Sequence, residues 1–330
     1  ALRGSKPLKT IEESRQNRTR IDWTNHSTLK PDFIGTKTLN NFPLEDLVPY
    51  IDWSPFFHAW EMRGRYPAIL DDAIVGSKAR ELFEDAQKQL KDIVLNRRFT
   101  ARAVYGFFPA VSTGDDIVVY QDADRSKALT TFHTLRQQIH KPDGQFNHAL
   151  ADFIAPQESG VEDYIGMFAV TTGHGADEHA SEFLKDHDDY SSIMAKALAD
   201  RLAEAFAECL HERVRNEWGY GKKEQLDNEA LIREKYQGIR PAPGYPACPD
   251  HTEKQLLWEV LNVENQTGMK LTESCAMWPA ASVSGLYFSH PQSKNFAVGK
   301  INKDQIKDYA NRKSISVDDA EKWLSPWLNY

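Results

Sequence analysis

One stretch limits the fold more than any other: Ile239-Arg240-Pro241-Ala242-Pro243-Gly244-Tyr245-Pro246-Ala247-Cys248-Pro249, with four prolines in eleven residues. Each proline removes a backbone donor and fixes φ, so the segment can be neither helix nor central strand. A ribbon this stiff loses little conformational entropy when it lines a site. Gly244 permits a positive φ or a close backbone approach, and Arg240 offers a planar fork suited to a carboxylate. A structural crossing loop that happens to contain an arginine has the same composition, so composition alone leaves both readings open.

On either side of the ribbon, helical and strand periods alternate without strict βαβ order. Pro43 opens a short helix with Glu45 and Asp46 in its first turn, and Pro49 and Pro55 isolate Tyr50-Ile51-Asp52-Trp53 between them. A helical stripe runs from Val75 to Val94, and the longest helix is expected from about Ser192 to Arg215. Strand-like runs are Ala103–Phe108, Ile117–Tyr120, Leu129–Leu135 and Tyr164–Val170. Further on, Thr252 is placed to cap a helix through Leu261. Val283–Phe288 and Phe296–Ile301 read as a strand pair around His290-Pro291, and Ser316 with Asp319 forms a capping-box pattern before Ala320–Leu324. The pattern predicts an α+β fold in one contiguous unit, residues 1–330, with a polar, linker-like lead-in over about 1–30.

Charge and composition narrow the function classes. The 330 residues carry a formal net charge of −8, which disfavours nucleic-acid binding by bulk charge. No run approaches the roughly 18 apolar residues of a membrane span, and no basic segment precedes an apolar one as in a secretory signal. Three widely spaced cysteines, Cys209, Cys248 and Cys275, argue against a disulfide framework and for a reducing cytoplasm. The chain opens on Ala1-Leu2-Arg3-Gly4, as an excised piece of a longer polypeptide would.

Several constellations invite a chemical reading. Gly173-His174-Gly175 echoes a dinucleotide turn, but Glu178 stands where the third glycine belongs, so an ordinary strand-to-helix loop accounts for it. Asp177-Glu178-His179 begins like a cobalt-ligating Asp-x-His-x-x-Gly pattern, but Glu182 replaces the glycine. Cys248-x-x-His251 lacks a second ligand pair nearby, and Asp186-His187-Asp188-Asp189 reads as solvated residues after a helix. No nucleophile elbow or His-Glu-x-x-His occurs. Asp200, Glu204, Glu208 and Glu212 recur every four residues on the long helix. Either Arg201, His211 and Arg215 neutralise them at helical spacing, or they form an acidic wall toward a cationic ligand.

From Arg240 to Lys254 the chain resembles the signature of the C-terminal activation domain of cobalamin-dependent methionine synthase. Tyr50-Ile51-Asp52-Trp53-Ser54-Pro55-Phe56-Phe57, Ala197–Glu208, Gly268–Ser274, Met277-Trp278-Pro279, Ser282-Val283-Ser284-Gly285 and Ser289-His290-Pro291 extend the likeness from about Leu8 to Trp323. The resemblance implies a C-shaped domain with a twisted antiparallel sheet and flanking helices, not a Rossmann-type methyltransferase. It implies S-adenosylmethionine as ligand and makes the missing Met a module boundary in a larger, cytoplasmic enzyme. In that enzyme methyl groups pass from methyltetrahydrofolate to homocysteine through cobalamin, which another module holds; zinc likewise belongs to the full enzyme only. The implied partners are that cobalamin-binding module and a flavodoxin-like or flavoprotein reductase, with no nucleic acid and no membrane. The implied role is presenting the methyl group for reductive methylation of inactive cob(II)alamin.

Residue by residue, the resemblance makes Asp52 the partner of the methionyl amino group and Arg240 that of the carboxylate. Tyr245 and Ala247 flank the ligand, and Glu204 is an acid near it. No residue is needed as nucleophile or general base, and no metal site is expected. Several members carry two tyrosines after Ser-Lys, where this chain has Asn295-Phe296. Phe296 keeps an aromatic face, whereas Asn295 is expected to contribute through its backbone. The alternative reading is an interdomain docking module without a small ligand; a stand-alone methyltransferase would need an acceptor of its own. Lys300, Lys303, Lys307, Arg312 and Lys313 form the basic patch expected to meet an acidic reductase.

Overall fold

The structure is a computed structural model that describes residues 7–330. Ala1 to Gly4, on which the expectation of a module boundary rests, lie outside the described residues. Among the described residues there are eight strands: β1 (Gly35–Phe42), β2 (Thr100–Thr113), β3 (Asp116–Tyr120), β4 (Ala128–His133), β5 (Asp163–His174), β6 (Lys270–Leu271), β7 (Met277–Trp278) and β8 (Ser282–Tyr287). The main sheet runs β4-β3-β2-β5-β8, and β1 shares an edge of β2 with β3. β1 occupies Ala101–Phe107 of that edge, β3 takes Ala110–Thr113, and every pairing is antiparallel. A sheet of this kind lacks the parallel crossovers of a doubly wound dinucleotide fold.

Period-two alternation divides β2 and β5 between two cores. Ala101, Ala103, Tyr105 and Phe107 of β2 join Phe168 and Val170 of β5 under the helices α2 (Leu44–Leu47), α3 (Ser54–Ala59), α4 (Gly76–Leu95) and α6 (Asp189–Trp218). Val104, Phe108, Ile165, Met167 and Ala169 face the other way, against α8 (Glu253–Leu261) and the ribbon residues Ile239, Ala247 and Cys248. A third cluster is formed where α10 (Lys303–Lys313) and α11 (Val317–Leu324) close over Leu135 and Val298. The remaining α-helices of the described residues are α1 (Ile11–Gln16), α5 (Ala176–Lys185), α7 (Asn228–Ile232) and α9 (Val263–Thr267).

The long helix outruns its expected bounds by about a turn at each end. Asp188 caps it by accepting from the Ser191 amide, and Gly219 stops it at φ +108°. Its buried stripe of Met194, Leu198, Leu202, Phe206, Leu210 and Val214 carries α6 across the sheet. Ser316 caps α11, its side chain accepting from the Asp319 amide, but the Asp319 carboxylate returns to the Ser316 hydroxyl and not to its backbone, so only half of the capping box forms.

Two expectations are corrected. Phe296–Ile301 is not a strand, because the free edge of β8 is taken by the ribbon. Ile239 and Phe288 exchange both backbone bonds at 3.0 Å, and the Leu286 amide donates to Pro241 O at 2.8 Å. Prolines cannot donate but still accept, so the ribbon pins itself through its carbonyls. Gly285 allows this approach, since a Cβ there would meet Pro241 O at 2.8 Å. The lead-in, expected to be linker-like, is packed onto the body. Ile11 and Trp23 are buried, Thr10 and Glu13 make a reciprocal capping box, and Arg15 reaches the buried Asp115 at 2.9 Å. Part of its polar composition serves specific pairings, while residues such as Glu12, Arg18 and Arg20 face solvent. Among the described residues, no helix is long and apolar enough to cross a membrane.

Candidate functional site

Where the ribbon crosses the end of β8 beside α6, a groove of about 540 Å³ opens. Its floor is Phe168 of β5 with Val283 and Ser284 of β8, and its walls include Glu204, Glu234, Arg240, Tyr245 and Phe296. Six of the seven residues expected at the site line this groove: Glu204, Arg240, Tyr245, Ala247, Asn295 and Phe296. The seventh, Asp52, lines an adjoining hollow of about 300 Å³ together with Glu204, Glu208, Glu234 and Arg240. Beyond Asp52 the surface continues into a wider cleft bounded by Arg65, Asn228 and Arg233.

Each side chain is held by something local. Asp52 sits between Pro49 and Pro55, where one carboxylate oxygen accepts from the Ser54 amide at 3.1 Å. Arg240, at the head of the ribbon, donates Nη2 to Glu208 at 2.8 Å. Its Nη1 donates to His211 Nδ1 at 3.1 Å and to the Tyr236 hydroxyl at 3.2 Å. Burial works against its charge, but the Glu208 carboxylate outweighs this and raises its pKa. A guanidinium has five N–H donors; these three contacts leave two for a ligand. Tyr245 stands 61% exposed at the tip of the ribbon, so its ring is available to a bound molecule.

The acidic flank of α6 divides its charges: Glu208 and Glu212 meet partners from outside the helix, and Glu204 faces the groove. Glu208 pairs with Arg240 from the ribbon, Glu212 accepts from the Tyr50 hydroxyl at 2.8 Å, and Glu204 opens into the groove. Arg215 pairs with Glu224 at 2.8 Å and not with its own helix. Asn295 does more than present backbone: its Nδ2 donates to Glu234 at 2.8 Å, and Glu234 holds a left-handed φ of +52°. Glu234, Phe168 and Ser284 are lining residues that sequence reasoning missed. An exposed acid six residues before Arg240 carries no local signal, and the two strand residues become lining only through the pairing of β5 with β8.

The other constellations resolve as structure. Gly175 starts α5 at φ +91° under Arg98 O, so Gly173-His174-Gly175 is a strand-to-helix turn. Cys248 is buried in the second core, His251 Nδ1 accepts from Lys254 Nζ at 3.0 Å, and Asp186 to Asp188 join α5 to α6. Most of the basic patch is engaged internally. Lys300 donates to Pro326 O, Lys303 pairs with Glu321, Arg312 with Asp116 and Asp308, and Lys313 with Glu253 and Asp250.

Comparison with known proteins places the fold in a family. Residues 43–314 match the family described as the vitamin B12 dependent methionine synthase activation domain. Among solved structures, the chain is similar to a crystal structure of the MetH reactivation domain bound to AdoHcy. The identity is 53% over 98% of this chain and 100% of that one, with a TM-score of 0.96.

Proposed function

The chain belongs to the activation-domain family of vitamin B12 dependent methionine synthase, and from that premise we propose that the groove binds S-adenosylmethionine. Arg240 takes the methionyl carboxylate through its two remaining donors, and Asp52 takes the amino group. Tyr245, Ala247, Asn295 and Phe296 flank the adenosyl part. The observation that carries this reading is the pairing of one partly satisfied arginine with three acids, Asp52, Glu204 and Glu234, around one hollow. A zwitterion with an added sulfonium charge asks for one cation and an excess of anions, which is this inventory. That a close relative was solved with AdoHcy, the demethylated product, supports the same occupant.

In this reading the whole chain acts as one module, and its work is positioning. It holds the sulfonium so that the methyl faces outward, toward cobalamin carried on another module of the same enzyme. One electron from a flavoprotein reductase reduces inactive cob(II)alamin, and the methyl passes to cobalt as S-adenosylhomocysteine is left in the groove. None of the groove residues has to be a nucleophile or a base.

Calorimetric titration of the chain with S-adenosylmethionine tests this directly. Binding with one-to-one stoichiometry is expected, and Arg240→Ala is expected to weaken it by on the order of 2–4 kcal/mol, because a carboxylate loses its charged partner. Absence of both heat and thermal shift at millimolar ligand overturns the reading and leaves a docking module.

A further inference from the structure

The arginine of the groove does not stand alone. It is held by two residues one turn apart on α6, Glu208 and His211, and by Tyr236 from the loop before the ribbon. Glu208 supplies charge, as expected of a carboxylate. His211 is less expected: its ring is fully buried, so no ligand reaches it, yet its Nδ1 faces a group that can only donate. We propose that His211 is a positioning residue that aims the Arg240 guanidinium at the ligand's carboxylate. This rests on the assignment of that carboxylate to Arg240.

Three observations carry the proposal. First, Arg240 has no acceptor of its own, so the 3.1 Å contact requires a lone pair on His211 Nδ1 and places the proton on Nε2. Second, the plane of the ring is held on both sides. It lies stacked on Tyr287 of β8 at 5.0 Å and 22°, and meets Tyr236 edge-on at 4.6 Å and 74°. Tyr287 is fixed in turn, because Gly166 opposite it in β5 leaves room that a Cβ would close at 2.8 Å. Third, the charged groups around the ring keep it neutral. Burial comes first, then Arg240 from the ribbon and Arg215 from its own helix, and together they hold its pKa well below the ordinary histidine value. The acids and phenols packed nearby, Glu208, Tyr236 and Tyr287, do not reverse this.

Without His211 the Nη1 corner would keep only the Tyr236 hydroxyl at 3.2 Å, a rotatable group; the ring nitrogen is the acceptor of set direction that, with Glu208 at Nη2, fixes which edge faces the groove. Glutamine or asparagine could accept the same bond, but only a ring locked between two tyrosines does so at a set angle. The helix that carries Glu204 into the groove thus also aims Arg240.

The test pairs two ligands with two variants of the full chain. The ligands are S-adenosylhomocysteine and its decarboxylated analogue, 5′-(3-aminopropyl)thio-5′-deoxyadenosine, which keeps the amino group. Wild type is expected to prefer the first by about a hundredfold, the worth of a charge-assisted pair. His211→Phe, which keeps the ring and loses the acceptor, is expected to lose about tenfold in affinity for S-adenosylhomocysteine. Its affinity for the analogue should stay within about twofold of wild type. His211→Asn, which restores an acceptor near Nδ1, should recover most of the loss.

If wild type binds both ligands alike, the assignment of the carboxylate to Arg240 fails, and the role of His211 falls with it. If wild type discriminates and His211→Phe discriminates equally well, the proposal alone is overturned. Equal loss toward both ligands also overturns it, as a merely structural effect. Should His211→Phe not fold, nitrogen NMR of the wild-type imidazole decides: the proposal requires a bare Nδ1 and a proton on Nε2, and the opposite tautomer overturns it.

Discussion

Two buried histidines make acid sensitivity a property of single residues. His148 Nδ1 shares a hydrogen bond with the Thr19 hydroxyl at 2.6 Å, and its ring lies 5.6 Å from Phe296, a wall of the groove. Burial first, then Lys294 and Lys141, lowers its pKa to about 4. His290, packed 4.8 Å from Trp23, is lowered to about 4 by burial and by His26. A folded-state pKa below the unfolded value of about 6.5 means that the unfolded chain binds more protons between the two values. The stability contributed by neutral His148 and His290 is therefore full above about pH 6.5 and lost as pH falls toward 4. Asp163 acts in the opposite sense, since burial pushes its carboxyl up to about 6 and favours the protonated folded form. Comparison with a variant cancels that contribution. His148→Gln is expected to narrow the difference in melting temperature between pH 7 and pH 5 relative to wild type. An unchanged difference would show that His148 does not titrate with unfolding.

The ribbon behaves as one element whose geometry depends on a single glycine. Gly244 sits at φ +90°, and a Cβ there would strike the His251 ring. Its amide donates to Cys248 O at 2.7 Å and the Cys248 amide to Tyr245 O at 2.9 Å, so the turn that carries Tyr245 and Ala247 closes around it. Gly244→Ala is expected to cost about 1–3 kcal/mol in denaturant unfolding, from strain at positive φ plus overpacking. Ligand affinity should fall with it, because the flanking residues move. A change under about 0.5 kcal/mol would mean that the turn relaxes freely. Proline stiffness is local, so this element was legible from composition. What it lies against was not. The free edge of β8 goes to Ile239 and Pro241 instead of the residues that follow the strand, because pairing is settled by which segment reaches an edge and not by strand propensity. The partner of Glu208 is illegible for the same reason: helical spacing suggests partners four residues away, whereas Glu208 meets an arginine 32 residues on.

Across the whole molecule, the polar lead-in runs over several regions of the body and pairs with each. Its Lys9 amide donates to Gln138 O at 2.8 Å, and Arg15 bridges Asp115 and Asp308 at 2.9 and 2.7 Å. Thr19 reaches His148, Trp23 packs on His290, and Leu29 O accepts from Trp218 Nε1 at 3.0 Å. One strap therefore touches the α10 cluster, the wall behind Phe296 and the C-terminal end of α6. Sequence polarity hid this, since charges that pair with buried residues look the same in a chain as charges that face water. If the three cores fold as one unit, loosening the strap must lower the stability of all of them together. Trp23→Ala, which removes a side chain only 8% exposed, is expected to cost on the order of 3 kcal/mol. Unfolding should remain a single transition with an unchanged denaturant slope, and far-ultraviolet circular dichroism and aromatic fluorescence should report the same midpoint. Two transitions, with the α10–α11 region melting before the main sheet, would show instead that the lead-in holds together parts that fold separately.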